Sequence, residues 1–123
     1  MYIKKKNKKK ISKNTAYKRG RQFEYRVQNH FRNLGYYVKR SYASKGAEDL
    51  IAIKSIILVS TDNSIGNGHT FSEVFLIQCK NLKVEKPLSK LEKDNLKKLA
   101  EQTGATPLHV FNRNHRLVIE QIE

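Results

Sequence analysis

The chain has 123 residues, with 25 Lys and Arg against 11 Asp and Glu, a formal net charge of +14 at pH 7 and 38% hydrophobic residues. That length supports one compact domain rather than two, and the single Cys79 excludes an internal disulfide or a cysteine-based zinc cluster, pointing to a reducing, intracellular compartment. No apolar run follows the basic start and none is long enough to span a bilayer, so neither a signal peptide nor a membrane span is expected.

Ten basic residues and no acidic one fall within the first 23 positions, whereas fifteen basic residues face eleven acidic ones in the rest. Such a block repels itself and has nothing to bury. Residues 1–17 are therefore expected to form a disordered arm ahead of a folded domain at 18–123. A polyanion would attract the arm, because each phosphate neutralised releases counterions. A solubilising tail and a nuclear-localisation-like patch at 4–10 are the other readings. An anionic membrane is not, since no apolar face is interleaved with the lysines.

Behind the arm, Phe23, Val27, Phe31 and Leu34 recur at helical spacing, and Gly35 offers a left-handed stop, predicting an amphipathic helix over 19–34. Glu24 lies about 100° round from Phe23, at the edge of that buried stripe. Tyr36–Val38 reads as a strand, followed by a polar loop over 41–48. Residues 49–53 form a second strand with little alternation, expected to be buried on both faces. Ile56–Val59 continues apolar, and 61–70 is a turn or loop within a long hairpin over 54–72. Residues 73–80 form the next strand, apolar until Gln78 and Lys80. Ser89-Lys90-Leu91-Glu92 has capping-box spacing and opens a helix with a core face of Leu88, Leu91, Leu96 and Leu99, closed by Gly104. Strands at 107–111 and 116–122 follow, joined by a turn over 112–115. The order α-β-β-β-α-β-β implies an α/β fold, a central mixed sheet flanked by helices.

Asp49 leads one buried strand. Gln78 and Lys80 end another and point the same way, because strand side chains alternate. If those strands pair, Asp49, Gln78 and Lys80 converge at one sheet edge within reach of Glu24. A carboxylate pair of this kind suits Mg²⁺, a hard cation that prefers oxygen, and an ammonium beside it can orient water and offset transition-state charge. Gln78 offers only a neutral carbonyl. Spacing alone also leaves Lys80 readable as a solvated strand terminus.

These residues carry a resemblance. Lys18-Arg19-Gly20-Arg21-Gln22-Phe23-Glu24, the stretch from Val38 to Ala52 and Leu76-Ile77-Gln78-Cys79-Lys80-Asn81 resemble the PD-(D/E)XK, restriction-endonuclease-like nucleases, and within them the archaeal-type Holliday junction resolvases. Gly104-Ala105-Thr106-Pro107 is similar to the family's ending. The resemblance implies a restriction-endonuclease-like core and a homodimer that resolves four-way DNA junctions by paired nicks. It implies Glu24, Asp49, Gln78 and Lys80 as catalytic residues, with Glu24, Asp49, Gln78 and the Cys79 main-chain carbonyl around Mg²⁺, for which Mn²⁺ substitutes. Lys18, Arg19, Arg21, Arg40, Ser44 and Lys45 are the expected DNA contacts. A prokaryotic, archaeal or viral host follows from the same likeness, and no small-molecule cofactor is expected.

Two departures stand out. Gln78 replaces the usual acid, as in the Gln-x-Lys of Mrr-like restriction enzymes, and Tyr25 replaces an arginine, with Arg26 next door. They keep open an Mrr-like nuclease acting on duplex DNA, and a catalytically degenerate DNA-binding module. His30, His69, His109 and His115 show no ligand spacing and read as ordinary residues. His115, between Arg113 and Arg116, could also touch phosphate, and Tyr36, Tyr37 and Tyr42 could stack on bases.

Overall fold

The computed structural model describes residues 13–41, 47–58 and 69–123. Its elements run α1 (Lys13–Asn33), β1 (Tyr37–Arg40), β2 (Leu50–Leu58), β3 (His69–Lys80), α2 (Lys90–Thr103), β4 (Thr106–Arg113) and β5 (Arg116–Gln121). The strands form one sheet in sequence order. β3 and β4 are parallel, joined through α2, and every other neighbouring pair is antiparallel. The fold is thus a mixed five-stranded α/β sheet.

Alternation along the strands divides the apolar side chains between two layers. Leu50, Ala52, Ile77, Cys79, Leu108 and Val110 pack with Phe23, Val27 and Phe31 of α1. Leu76 and Ile51 turn the other way and pack with Leu96, Leu99 and Ala100 of α2. One helix therefore covers each face.

The ends of α2 follow local chemistry. Ser89 Oγ accepts from the Glu92 N–H while Glu92 accepts from the Ser89 N–H, and Gly104 stops the helix at φ 72°. Gly35, at φ 92°, ends α1 in the same way.

Several expectations need correction. Helix α1 begins at Lys13, six positions ahead of 19, so positions 13–17 belong to it; positions 1–12 of the arm lie outside the described residues. Leu34 follows the helix end and is 50% exposed, and Leu91 of the expected α2 core face is 69% exposed. Strand β2 is not buried on both faces, because Ile53 and Ile57 are exposed while Leu50 and Ala52 are fully buried. α2 packs chiefly against β3 and β4, with Ile51 of β2 at the edge of its cluster. The tip of the long hairpin, 59–68, lies outside the described residues.

Candidate active site

β2 starts at Leu50, opposite Ile77, so β3 runs on through Gln78, Cys79 and Lys80 without that neighbour. The gap left in the sheet is a cavity of about 290 Å³ lined by Glu24, Asp49, Gln78, Cys79, Lys80 and Glu85, with Tyr17, Gly20 and Arg21 of α1 above. All four catalytic candidates from the sequence meet there.

Asp49 is held at three points. Its N–H donates to the Ile77 carbonyl and its carbonyl accepts from Ser41 N–H, both at 2.8 Å. Its Oδ2 accepts from the Cys79 N–H at 2.8 Å. Burial pushes the Asp49 carboxyl up to about 6, aided by the Glu24 and Glu85 carboxylates and opposed by the Cys79 N–H and the Lys80 ammonium. In a strand, one residue's N–H and C=O face the same neighbour, so the Cys79 carbonyl points at the same gap. The Cys79 side chain is buried in the α1 layer, and burial holds its thiol well above the usual range, which suits a packing group rather than a nucleophile.

Glu24 comes from the α1 turn after Phe23, at the rim of the buried stripe. Its Oε1 accepts from Arg40 Nε at 2.9 Å, an ion pair that ties α1 to the end of β1. Arg21 lines the cavity and donates to the Tyr17 and Tyr25 hydroxyls, each at 3.2 Å. Gln78 and Lys80 project on the α2 side, where Lys80 Nζ lies 3.1 Å from Glu92 Oε2.

Sequence reasoning missed Glu85, and gave Glu92 a capping role without its pairing to Lys80. Glu85 sits in the turn after β3, accepts from the Asn81 N–H at 2.9 Å and adds a third carboxylate to the cavity lining. A Cβ at Gly20 would stand 3.4 Å from its Oε1, so the glycine lets α1 pass close over this turn.

The remaining DNA-contact candidates scatter. Lys18 is exposed, Arg19 lines a different hollow, and Arg40 is engaged by Glu24. Ser44 and Lys45 lie outside the described residues, as does Tyr42. Tyr36 donates to Glu73 and is partly buried, whereas Tyr37 is exposed.

The donor set at the gap consists of the Glu24 and Asp49 carboxylates, the Gln78 side-chain oxygen and the Cys79 carbonyl. These are hard oxygen donors of the kind that Mg²⁺ prefers. Among the described residues no three His, Cys, Asp or Glu side chains stand close enough together to hold a metal by themselves.

The fold is similar to that of Hjc, a Holliday junction resolvase from the archaeal hyperthermophile Archaeoglobus fulgidus, at a TM-score of 0.59 and 16% identity. The match covers 85% of this chain and 73% of that one. No protein-family model matches the chain, and no curated protein does. Among the described residues no helix is long and apolar enough to cross a membrane.

Proposed function

We propose that the protein is a Mg²⁺-dependent endodeoxyribonuclease that nicks four-way junctions as a homodimer. The carrying observation is the cavity where β2 begins, which gathers Glu24, Asp49, Gln78 and Lys80 in a fold similar to that of a junction resolvase. Glu24 and Asp49 supply charged oxygen ligands, and Gln78 and the Cys79 carbonyl neutral ones. A Mg²⁺ ion held by these oxygens would supply Lewis-acid polarisation of a phosphoryl oxygen and make a bound water more acidic, and Mn²⁺ would replace it. Lys80 offers its ammonium to the developing phosphorane charge and to the attacking water. The Cys79 N–H keeps Asp49 Oδ2 oriented, and Oδ1 is the oxygen it leaves for a metal. Arg21, among the cavity's lining residues, would offer its guanidinium to a phosphate. Paired cuts need two copies of a one-site chain, hence the dimer.

A second reading rests on one observation. Glu24 is neutralised by Arg40 and Lys80 by Glu92, while Gln78 brings no charge. A module that holds DNA without cutting would tolerate all three.

Incubation of labelled four-way junction and matched linear duplex with Mg²⁺ or EDTA separates these readings. Symmetric nicks confined to the junction support resolution, and equal cutting of the duplex supports an Mrr-like nuclease. Binding without product in any metal supports the non-cutting module.

A further inference from the structure

A second polar surface lies on the opposite flank of α1 from Glu24. Gln22, Arg26, Asn29 and Asn33 recur at spacings of four, three and four and share one helix face. Across from them stand His115 and Arg116 of the β4–β5 turn, and the groove between has a volume of about 730 Å³. A neighbouring hollow shares Gln22 and Arg26 and adds Arg19 and Lys83. No acidic side chain lines either one. In a chain whose body has eleven acids, two adjoining hollows lined only by cations, amides and neutral groups are a selective feature.

The groove is also fastened. Arg26 donates from its guanidinium to the His115 carbonyl at 2.8 Å, and Lys83 Nζ lies 3.1 Å from His115 Nδ1. The turn that bears His115 places Asn114 at φ 52° and His115 at φ 65°. A two-residue hairpin turn with both φ values positive favours Asn-Gly, so His115 occupies a position where glycine is cheaper by about 1 kcal/mol or more. The imidazole is kept there despite that cost, facing Lys83 and the groove.

We propose that this groove binds the phosphodiester backbone of a second DNA segment, separate from the one cut at Asp49, with Arg26, Arg116 and Lys83 as its cationic contacts. Guanidiniums bind phosphate oxygens through paired donors, while Gln22 and Asn29 amides supply the neutral hydrogen bonds that such contacts use. The catalytic cavity and the groove flank α1, so the helix would lie between two backbones. This proposal rests on DNA being the substrate.

The test is fluorescence anisotropy of labelled four-way junction across a KCl series in EDTA, with the full chain. It compares wild type, Arg26→Gln with Arg116→Gln, Lys83→Gln with Arg116→Gln, and the control pair Lys90→Gln with Lys98→Gln on α2. The second pair leaves the Arg26 bridge to His115 intact, so a folding defect in the first does not decide the matter. Each groove pair is expected to lower the slope of log affinity against log salt by about 2, with the control unchanged. Groove variants with the wild-type slope would overturn the proposal, as would a loss of affinity that leaves the slope unaltered. Absence of DNA binding by the wild type itself would instead overturn the nuclease reading beneath it.

Discussion

Lys80 and Glu92 form an ion pair of 3.1 Å in which each partner also serves a second structure. Lys80 ends β3 beside Asp49, and Glu92 is the carboxylate of the α2 capping box, its Oε1 accepting from the Ser89 N–H at 3.1 Å. Burial pushes the Glu92 carboxyl up, but the Ser89 N–H and the Lys80 ammonium outweigh it and hold it below the usual range. The start of α2 is thereby fastened to the end of β3 that lines the cavity.

The two roles of Glu92 can be separated. Gln at this position still completes a capping box but places no charge on Lys80. Glu92→Gln should therefore melt close to wild type while its single-turnover rate changes about tenfold, equivalent to about 1.4 kcal/mol in the barrier. Ser89→Ala should do the reverse, costing about 1 kcal/mol of stability with the rate nearly unchanged. Equal rates for Glu92→Gln and wild type would confine Glu92 to the helix cap.

Asp49→Asn should stabilise the metal-free protein at neutral pH. The Asp49 carboxyl is raised from 3.8 to about 6, so between those values the folded state binds more protons than the unfolded one. Stability then falls as pH rises through that window, and the ionised group costs up to about 3 kcal/mol above it. Asparagine keeps an oxygen for the Cys79 N–H and carries no charge. In EDTA the variant should melt higher at pH 7, with the gap closing below pH 4. Added Mg²⁺ should raise the melting temperature of wild type and leave the variant where it was. A variant less stable than wild type at pH 7 would contradict this placement of Asp49.

The turn that carries Glu85 depends on a buried amide pair. Asn112 Nδ2 donates to Asn81 Oδ1 at 2.8 Å, and Asn112 Oδ1 accepts from the Leu82 N–H at 2.7 Å. Asn112→Ala strands the Leu82 N–H and leaves Asn81 Oδ1 with only the Lys83 N–H, at 3.1 Å, so the loss should be about 1–3 kcal/mol in urea unfolding. A loss below about 0.5 kcal/mol would mean that the turn repacks freely.

Some of this was legible in the sequence and some was not, for identifiable reasons. The element order and the meeting of Asp49, Gln78 and Lys80 follow from strand periodicity and one assumed pairing, which β2 and β3 make. Glu24 follows from helix phase relative to Phe23. The first turn of α1 was missed because Lys13, Asn14 and Thr15 carry no apolar signal. Leu91 was misplaced because the buried stripe of α2 runs through Leu96, Leu99 and Ala100, centred about 130° away. Glu92 was visible only as a cap residue, since its bond to Lys80 depends on where the chain crosses. Glu85 and the groove at His115 lie in turns, where no period marks which way a side chain faces.

The central claim is that Asp49 and its neighbours hold a metal for phosphodiester hydrolysis. The most direct measurement is single-turnover cleavage of an end-labelled four-way junction by wild type and Asp49→Asn, with Mg²⁺ and with EDTA. Mg²⁺-dependent nicks are expected from wild type, with at least a hundredfold loss, on the order of 3 kcal/mol, in a variant that still binds the junction. Cleavage by wild type that persists in EDTA, or that survives in Asp49→Asn, would contradict that claim.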